Sequence, residues 1–437
     1  MNNHPIKKLS VHTIGCRLNQ YESEKIAAQL YPYGFQRALA GENADLYIVN
    51  TCTVTHRADS DCRNIIRRLA RQNPEGRIVV TGCYVENDPE KISALPGVDV
   101  VIGNAEKDDI ASILPRKMPE LFTVKPDKGC SSLVSDFYDH NRAWLKISDG
   151  CNQWCSFCII PAVRGRLKNR PPREIINEIN NLVAHGYEEV VLTGVNTGHY
   201  KYHKEKPYVK NLGALCRLIL KETDVHRLRI SSIEPQTIRD EFINVYAEAQ
   251  GRICRHLHIP LQSGSSRILK LMRRPYDRDT YIRKVTAVKE AVVDTIIGAD
   301  VIVGFPGETD DDFNHTRELA ESGLIDYLHV FSYSERNDTP ASKMADKVHS
   351  RVIKERNAIL TKISNQLRFQ SHQRQIGEVL EVISEHKKTA DGYYWGISGN
   401  YMRVRLPGTI NYGKKIVKVK IHSATPEFVS GDVISTH

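Results

Sequence analysis

Residues 149–160 read DGCNQWCSFCII and place Cys151, Cys155 and Cys158 at spacings of four and three residues. The stretch WLKIS at residues 144–148 has the short, apolar character of a β-strand, so the cysteines directly follow a predicted strand. Three thiolates can hold three irons of a 4Fe-4S cubane and leave the fourth iron open to a non-protein ligand. This stretch therefore predicts an iron-sulfur centre at the end of a strand.

Zinc is the main alternative for such a group of cysteines. A structural zinc site normally closes with four protein ligands. The nearest histidines that could supply the fourth ligand, His140 and His185, do not stand at the spacing of a zinc finger. The spacing therefore favours the iron-sulfur interpretation. A non-catalytic, zinc-stabilised RNA-binding protein is kept as the alternative from another functional class.

The same strand opens a series in which strand and helix patterns alternate. Its six strand candidates are WLKIS (144–148), EEVVLTG (188–194), RLRISSI (227–233), HLHIPL (256–261), ADVIVGF (299–305) and YLHVFSY (327–333). Strands separated by helices form parallel sheets, because each crossover returns the chain to the same edge. Six strand-helix units over about 190 residues predict a partial parallel barrel, two units short of a complete (β/α)8 barrel.

Two further regions flank the predicted barrel. The N-terminal strand candidates lie near residues 9–14, 45–50, 77–81 and 98–102. They alternate with helical patterns, which predicts a doubly wound parallel sheet. After a helical run at 347–375 come the short alternating segments GEVLEVISE, GYYWGISGN, YMRVRLPG and KKIVKVKIHSA. These predict a small antiparallel β-barrel. The α/β chain is therefore divided into residues 1–125, 137–367 and 370–437.

A second group of cysteines follows the N-terminal strands. Cys16 follows the first strand in TIGCRLNQYES, Cys52 follows the second in NTCTVT, and Cys83 follows the third in TGCYV. Parallel strands place their carboxyl ends at one edge of a sheet, where doubly wound sheets bind ligands. One such cysteine alone would be interpreted as a small buried residue. Three in the same position are expected to converge and to hold a second iron-sulfur cluster.

Composition excludes several functional classes. Of the 437 residues, 41% are hydrophobic and 26% are charged, which is ordinary for a globular protein. No apolar run approaches the about 20 residues of a membrane span, and the N-terminal residues lack the apolar stretch of a signal peptide. A cytoplasmic location is expected, where the ten cysteines serve as metal ligands or packed thiols rather than disulfides. The net charge of +9 suits a polyanionic partner.

The CxxxCxxC motif at the mouth of a parallel barrel resembles that of the radical S-adenosylmethionine (SAM) enzymes. The resemblance implies that the open iron binds SAM and that the reduced cluster cleaves it to a 5′-deoxyadenosyl radical. The later segments LTG, ISSIEP, PLQSGS and DVIVGFPGE occur in the order of that family's SAM-contacting regions. The SAM contacts implied by the resemblance are Phe157, Thr193, Gly194, Ser232, Gln262, Val303 and Gly304.

Over nearly its whole length the chain resembles the methylthiotransferases among the radical SAM enzymes. In that family the N-terminal cysteine trio binds an auxiliary 4Fe-4S cluster that handles the inserted sulfur, and the C-terminal barrel is a TRAM domain that binds the substrate. The segments GCRLNQYES, NTCTVT, TGCYV, RLRISSIEP and HVFSYSERNDTPA are most similar to one subgroup. That subgroup converts N6-threonylcarbamoyladenosine beside the tRNA anticodon to its 2-methylthio derivative. Related subgroups act on isopentenyladenosine in tRNA or on a ribosomal-protein aspartate, and both are kept as alternatives.

The resemblance implies an enzyme with two 4Fe-4S clusters. The cluster of Cys151, Cys155 and Cys158 would generate the radical that removes the hydrogen at carbon 2. The auxiliary cluster of Cys16, Cys52 and Cys83 would deliver sulfur, and a second SAM would supply the methyl group. An electron donor such as flavodoxin or ferredoxin is expected as a protein partner.

Basic residues of the C-terminal barrel are the candidate tRNA contacts. They are Arg403, Arg405, Lys414, Lys415, Lys418 and Lys420. They alternate with apolar residues and accompany the aromatic residues Tyr393, Tyr394, Trp395 and Tyr401. Phosphate contacts next to stacking surfaces are typical of RNA binding, so the segment is predicted to hold tRNA. A basic protein substrate would favour an acidic surface instead.

Several residues have no assigned role. For Arg164 and Arg170 in VRGRLKNR, orienting the substrate and stabilising the fold are both open. The cysteines outside the two groups are interpreted as packed or incidental thiols: Cys62, Cys130, Cys216 and Cys254. Asp338 stands where the family pattern predicts a glycine before Thr339.

Overall fold

The computed structural model describes residues 6–124, 126, 133–408 and 412–436, so Cys130 lies outside the described residues. The chain divides into two compact units. The first comprises residues 1–136, 150–153 and 158–167, and the second comprises residues 137–149, 154–157 and 168–437. Residues of the CxxxCxxC motif therefore belong to both units.

The first unit consists of a parallel sheet and its covering helices. Its strands are β1 (Lys7–Thr13), β2 (Phe35–Arg37), β3 (Leu46–Thr51), β4 (Arg77–Gly82) and β5 (Val98–Ile102). Its helices are α1 (Arg17–Leu30), α2 (His56–Gln72), α3 (Cys83–Asn87), α4 (Pro89–Ser93), α5 (Ile110–Lys117) and α6 (Ile160–Arg164). Short 3-10 helices cover Tyr31–Tyr33, Asn104–Asp109 and Pro119–Leu121.

The strands are parallel and follow the order β2-β1-β3-β4-β5. Ile48 and Val79 pack with α1 and α5 on one face, whereas Val49 and Val80 pack with α2 on the other. Both faces are therefore covered, which confirms the predicted doubly wound sheet. The strand order reverses between β1 and β3, and sheets of this type bind ligands at that switch point.

The second unit begins with a barrel-like set of strands. They are β6 (Ala143–Lys146), β7 (Ser148–Asp149), β8 (Lys168–Asn169), β9 (Glu189–Thr193), β10 (Arg227–Ile230), β11 (His256–His258), β12 (Ile296–Val303) and β13 (Tyr327–Ser332). The helices are α7 (Pro172–Ala184), α8 (Leu212–Glu222), α9 (Asp240–Glu248), α10 (Ser266–Leu271), α11 (Arg278–Ala291), α12 (Asp310–Glu321) and α13 (Ser350–Gln373). Short 3-10 helices cover Thr197–His199, Pro235–Thr237 and Pro340–Lys343.

These strands form two parallel half-sheets, β6-β9-β10 and β11-β12-β13, while β7 and β8 form a separate antiparallel ribbon. The half-sheets meet where the Cys254 amide donates to the Leu228 carbonyl at 2.9 Å and the Ile233 amide donates to the His258 carbonyl at 2.9 Å. The six strands thus follow one another in chain order. This confirms the predicted partial barrel, which we call the (β/α)6 barrel.

The chain ends in a closed five-stranded barrel, which we call the TRAM barrel. Its strands are β14 (Val379–Lys388), β15 (Tyr394–Ser398), β16 (Arg403–Leu406), β17 (Ile416–Ala424) and β18 (Val429–Thr436). Their order is β14-β15-β16-β18-β17, and β16 and β18 pair in parallel while the other neighbours are antiparallel. The barrel is therefore largely antiparallel, as predicted, and β18 is the strand that closes it.

A buried ionic group joins the two barrels of the second unit. The Glu189 carboxylate accepts hydrogen bonds from Arg227 and Arg229, each at 2.7 Å, and all three side chains are buried. The same guanidinium groups donate to the TRAM barrel: Arg227 to the Glu381 carbonyl at 2.9 Å and Arg229 to the Ser398 carbonyl at 2.9 Å. One carboxylate thus fixes two arginines that tie the TRAM barrel to the (β/α)6 barrel.

In the described part of the chain, no helix is both long enough and apolar enough to cross a membrane.

Candidate active site

Cys16, Cys52 and Cys83 lie at the carboxyl edge of the parallel sheet. Cys16 stands between β1 and α1, Cys52 directly follows β3, and Cys83 begins α3 directly after β4. Because β1, β3 and β4 are neighbours in the sheet, these positions are adjacent along its edge and flank the switch point. The structure therefore brings together the three cysteines that the sequence grouped.

Glycines before two of these cysteines let the chain segments approach closely. Gly15 and Gly82 both have a φ of +107°, in the region that favours glycine. A Cβ on Gly15 would lie 2.7 Å from the Cβ of Cys52, and one on Gly82 would clash with the backbone of Thr51. The turns that carry Cys16 and Cys83 therefore require glycine to reach β3.

The three thiols share one electrostatic environment. The pKa of Cys52 is raised to about 11, mainly by burial; the thiols of Cys16 and Cys83 act in the same direction and Arg164 acts against it. The pKa of Cys16 is also raised, mainly by desolvation, and Arg164 again opposes the shift. Groups that shift one another's pKa in this way are near neighbours.

The placement of the three thiols allows a shared cluster. Cys16, Cys52 and Cys83 follow three neighbouring strands of one sheet. Thiolates are the usual protein ligands of iron-sulfur clusters, and each thiolate binds a different iron of a cubane. Cys16, Cys52 and Cys83 could therefore hold three irons of such a cluster.

Arg164 lies in this group of thiols. Its Nε donates to the sulfur of Cys83 at 3.2 Å, and its two terminal nitrogens donate to Glu22 at 2.9 Å and to Asn19 at 2.6 Å. The side chain is 1% exposed. Arg170 has different surroundings, because it donates to Glu178 at 2.8 Å and to the Lys146 carbonyl at 2.8 Å. The two arginines that the sequence left open therefore have different surroundings, and Arg170 links β6 to α7.

The CxxxCxxC cysteines lie where β6 and β7 end. The Cys151 amide donates to the Gly165 carbonyl at 3.1 Å within the first unit. Cys155 belongs to the second unit, where Arg274 donates to its sulfur at 3.2 Å. Cys151 and Cys155 are buried, and Cys158 is half-buried. A guanidinium donor at Cys155 favours the thiolate form that iron binding requires.

The residues expected to contact SAM stand at the carboxyl ends of the barrel strands. Thr193 ends β9 and Val303 ends β12, and each is followed by one of the two glycines, Gly194 and Gly304. Ser232 lies in the segment after β10, and Gln262 lies in the segment after β11. Active sites of parallel barrels are built at this end. Gln262 has a φ of +65° and Gly304 has a φ of +75°, so two of these segments turn sharply there. Phe157 packs near Phe305, with ring centroids 6.5 Å apart.

A polar group that the sequence analysis missed lies on one face of β12. His258 Nε2 is 2.9 Å from the Asp300 carboxylate, and His329 Nδ1 is 3.9 Å from it. Asp300 shares its face of β12 with Ile302, which packs against the same buried cluster as Phe157, and with Ile296, which packs in the core of the TRAM barrel. The missed signal was a charged or imidazole side chain in each of three neighbouring strands, His258 in β11, Asp300 in β12 and His329 in β13.

Comparison with known proteins agrees with this geometry. The radical SAM superfamily matches residues 145–320, and a family described as uncharacterized protein family UPF0004 matches residues 8–103. The Bacillus subtilis (strain 168) protein named threonylcarbamoyladenosine tRNA methylthiotransferase MtaB is 40% identical, and the match covers 98% of this chain and 96% of that protein. The chain belongs to the radical SAM methylthiotransferases.

More distant methylthiotransferases match over similar lengths. The Aquifex aeolicus (strain VF5) protein of the same name is 33% identical, covering 95% of this chain and 100% of that protein. A tRNA-2-methylthio-N(6)-dimethylallyladenosine synthase from Acetivibrio thermocellus is 31% identical, covering 98% of this chain and 91% of that protein. This chain is therefore a radical SAM methylthiotransferase that uses SAM and 4Fe-4S clusters. The interpretation as a non-catalytic zinc protein is not favoured.

A solved structure supports the fold of this methylthiotransferase. The radical S-adenosylmethionine methyltransferase TsrM from Kitasatospora setae, solved with cobalamin and a 4Fe-4S cluster bound, matches with a TM-score of 0.55. The match covers 77% of this chain and 74% of that chain at 14% identity. At this level of identity the similarity shows a shared fold.

The candidate tRNA contacts of the methylthiotransferase fall into two groups. The Arg403 guanidinium lies 3.8 Å from the centre of the Trp395 ring, and that of Arg405 lies 3.7 Å from the centre of the Tyr393 ring. We call these four residues the stacking surface. Arg405 also pairs with Asp391 of the same barrel at 2.7 Å. Lys415 instead pairs with Glu188 of the (β/α)6 barrel at 2.9 Å.

Two more of the predicted lysines are engaged within the protein. Lys414 Nζ lies 3.8 Å from the centre of the Tyr187 ring, and Lys420 donates to the Gly377 carbonyl. Lys418 is exposed on β17. Of the aromatic residues singled out with them, Tyr401 stacks on His256 at a centroid distance of 4.4 Å and so faces the (β/α)6 barrel.

The described cysteines outside the two groups are packed thiols. Cys62, Cys216 and Cys254 are buried. Burial raises the pKa of Cys62 and Cys216 to about 12 and that of Cys254 to about 11. They lie outside the two groups of cysteines at the strand ends, so we interpret them as small buried residues that contribute to packing.

Proposed function

We propose that this methylthiotransferase adds a methylthio group at carbon 2 of N6-threonylcarbamoyladenosine in tRNA. The observation that carries the proposal is the 40% identity, over 98% of the chain, with the Bacillus subtilis protein named for that activity. The relative named for dimethylallyladenosine is 31% identical over the same share of the chain. The difference favours the threonylcarbamoyl substrate over the isopentenyl one.

The six cysteines at the strand ends are assigned to the two clusters. Cys151, Cys155 and Cys158 hold the cluster that binds SAM, and Cys16, Cys52 and Cys83 hold the auxiliary cluster. When bound, SAM and its cluster supply a 5′-deoxyadenosyl radical, which can remove hydrogen from the unactivated carbon 2. The chain positions SAM through the strand-end residues Phe157, Thr193, Gly194, Ser232, Gln262, Val303 and Gly304.

The polar group on β12 offers contacts for the substrate. The N6-threonylcarbamoyl substituent carries a carboxylate, a hydroxyl and a urea, all of which need hydrogen-bonding partners in a buried site. His258, His329 and Asp300 supply donors and acceptors on one face of the (β/α)6 barrel. A dimethylallyl substituent lacks these polar atoms and could form no hydrogen bonds with the group. The polar character of the group therefore supports the threonylcarbamoyl substrate.

Recognition of tRNA is assigned to the TRAM barrel. Arg403 and Arg405 are held against aromatic rings, an arrangement that presents both charge and stacking surface to single-stranded nucleotides. Lys418 adds an exposed charge on β17. In functional terms the chain divides into residues 1–125 with the auxiliary cluster, residues 137–367 with SAM, and residues 370–437 for tRNA. We place the enzyme in the cytoplasm with flavodoxin or ferredoxin as its electron donor.

Nucleoside mass spectrometry tests the proposed substrate. Transfer RNA from cells with the intact gene should contain the 2-methylthio derivative of threonylcarbamoyladenosine, and tRNA from cells without the gene should contain only the precursor. Returning the gene with Cys155→Ala should not restore the derivative, whereas returning it with Cys216→Ala should.

The purified enzyme gives the complementary test. Supplied with SAM and a reductant, it should modify tRNA that carries threonylcarbamoyladenosine and leave tRNA that carries isopentenyladenosine unchanged. Methylthiolation of the isopentenyl nucleoside alone would show that the substrate is the other one.

A further inference from the structure

We infer that Arg164 is a positioning residue of the auxiliary cluster: it holds the Cys83 sulfur and supplies the positive charge that favours the cluster's reduced form. The inference rests on the proposed function, because it takes Cys16, Cys52 and Cys83 to be the ligands of that cluster. It concerns a residue for which the sequence left both a substrate role and a structural role open.

The position of Arg164 is fixed by packing. Arg164 ends α6, which follows the CxxxCxxC motif in the chain. Ile159 and Val163 of this segment pack directly with Cys83 in a small apolar cluster of buried residues. The Asn104 side chain donates to the Val163 carbonyl at 2.8 Å and so holds the end of the same helix. The guanidinium is therefore carried to the sheet edge by a rigid element.

The hydrogen bonds of Arg164 give it a defined orientation. Glu22 accepts from Nη1 at 2.9 Å and Asn19 accepts from Nη2 at 2.6 Å. Both acceptors lie on α1, which begins directly after Cys16. With its terminal nitrogens engaged there, the guanidinium points its Nε towards the Cys83 sulfur at 3.2 Å. One cation thus connects the segments that carry Cys16 and Cys83.

A second cation joins the network around Arg164. Glu22 is also paired with Lys107 at 2.7 Å, and both side chains are 5% exposed. Arg164 and Lys107 thus bring two positive charges to the same buried carboxylate. A cluster-bound thiolate is an anion, so the hydrogen bond from Arg164 to the Cys83 sulfur would be charge-assisted.

A guanidinium in this place has a predictable effect on the cluster. Hydrogen bonds to cysteine sulfurs and nearby charge both set the reduction potential of iron-sulfur clusters. Reduction adds a negative charge, which a buried cation stabilises. Loss of Arg164 should therefore make the auxiliary cluster harder to reduce, whereas a residue that merely stabilises the fold would leave the potential unchanged.

The test uses the full chain with Cys151, Cys155 and Cys158 all changed to Ala, so that only the auxiliary cluster remains. In this background we compare Arg164→Gln, Arg164→Lys and the control Arg166→Gln, whose side chain is exposed two residues away. Iron content and the electron paramagnetic resonance signal of the reduced cluster are measured at a series of applied potentials. Thermal unfolding of each variant is recorded alongside.

In the background protein we expect about four irons per chain. Arg164→Gln should lower the ratio of reduced to oxidised cluster about tenfold at a given potential, which is about 59 mV for a one-electron couple. Arg164→Lys, which keeps the charge without the Nε donor, should shift the ratio less, and Arg166→Gln should not shift it. Loss of iron from both Arg164 variants with unchanged thermal unfolding would also support the inference.

Different failures of this experiment have different meanings. A background protein without iron would overturn the assignment of Cys16, Cys52 and Cys83, and with it the proposed function. A background protein with iron whose Arg164 variants match Arg166→Gln in potential would overturn only the inference. Loss of iron together with a lower unfolding temperature in both Arg164 variants would show a structural role and would overturn it as well.

Discussion

Cys83 and Cys155 each have an arginine nitrogen 3.2 Å from the sulfur, donated by Arg164 and Arg274 respectively. Each arginine is also paired with a carboxylate, Glu22 or Glu234. A charge-assisted donor stabilises a thiolate, which is the form that binds iron. In both proposed cluster sites, therefore, an arginine that is paired with a carboxylate donates a hydrogen bond to a cysteine sulfur.

Replacing any one of Cys151, Cys155 and Cys158 by Ala should abolish cleavage of SAM. Loss of one thiolate removes an iron ligand, and the open iron that binds SAM depends on the intact cluster. The measurement is the yield of 5′-deoxyadenosine under reducing conditions, with Cys216→Ala as a control for the loss of a buried thiol. A near-normal yield from any of the three variants would contradict the assignment of these ligands.

Replacing Cys16, Cys52 and Cys83 together should give the complementary result. Because these thiols are assigned to the other cluster, iron should fall by about half while 5′-deoxyadenosine is still formed. The methylthiolated nucleoside should disappear. Full iron content together with continued product formation would show that these thiols hold no cluster.

Asp338 departs from the family pattern but can adopt the backbone conformation that its position requires. Its φ is +67°, in the left-handed region where glycine is favoured and where Asp is tolerated better than most residues. The side chain is exposed, so it needs no packing partner. The expected glycine and the observed aspartate therefore satisfy the same backbone requirement.

At the scale of elements, β15 and β16 carry the face of the TRAM barrel best suited to RNA. Trp395 and Arg405 are cross-strand partners, and Arg403 lies diagonally from Trp395 on the same face. Lys414 and Lys415 lie in the turn before β17 and contact the (β/α)6 barrel instead. Basic residues of one small barrel are thus divided between tRNA binding and attachment of the barrel.

Changing Arg403 and Arg405 together to Gln should weaken tRNA binding and flatten its salt dependence. Each phosphate contact contributes about 0.7 to the slope of log K against log salt for single strands, so two lost contacts change the slope by about 1.4 units. Binding is measured by titration at several salt concentrations. Lys414→Gln with Lys415→Gln is the matched control, and its slope should stay near that of the unchanged protein. A slope that changes only in the lysine variant would move the tRNA surface to the other side of the barrel.

Strands and helices with a strong hydrophobic pattern were predictable from the sequence. The strands β2 and β18, which lack such a pattern, were not. β12 is an apolar run between helices and β17 alternates strictly, so local pattern alone indicates both. β2 has three residues, too few for a period to show. β18 reads VSGDVIST, which contains Gly431 and little alternation, and it is held by pairing with β16 and β17. Its formation depends on tertiary contacts that no local pattern contains.

The candidate site was likewise predictable from the sequence only in part. Cysteines at strand ends were predictable, because strand order places them at one edge of a sheet. The contact of Arg164 with Cys83 joins residues that are 81 positions apart, and sequence spacing carries no information about it. The group of His258, Asp300 and His329 likewise depends on the register of three strands.

At the scale of the whole molecule, the buried carboxylate of Glu189 holds the TRAM barrel to the (β/α)6 barrel. Glu189→Gln should lower the free energy of unfolding by about 3–5 kcal/mol, because it leaves the buried charges of Arg227 and Arg229 without their carboxylate. Unfolding in urea at pH 7 measures the loss. Glu174→Gln is the control, since Glu174 is largely exposed and its pair with Arg170 at 3.6 Å contributes little.

The same carboxylate makes the stability of the protein decrease as the pH falls. Burial alone would raise the pKa of Glu189, but Arg229 and Arg227 outweigh it and hold the pKa far below its usual value. A group whose pKa is lowered by folding contributes stability above its unfolded pKa of about 4.3 and loses it as the pH falls below that value. The unchanged protein should therefore lose more stability between pH 7 and pH 3 than Glu189→Gln. Equal losses in the two proteins would show that Glu189 is not the group that titrates.

The boundary between the two half-sheets, where β10 meets β11, is expected to open more easily than the half-sheets themselves. β9 and β12 have a strand on either side, whereas β10 and β11 meet through a few backbone hydrogen bonds at Leu228, Ile233 and Cys254. Where fewer bonds must break, local opening costs less free energy. Deuterium should therefore enter the amides of β10 and β11 sooner than those of β9 and β12, as exchange followed by mass spectrometry would record. The (β/α)6 barrel can therefore open locally along the boundary between β10 and β11 while the strand pairing within each half-sheet stays intact.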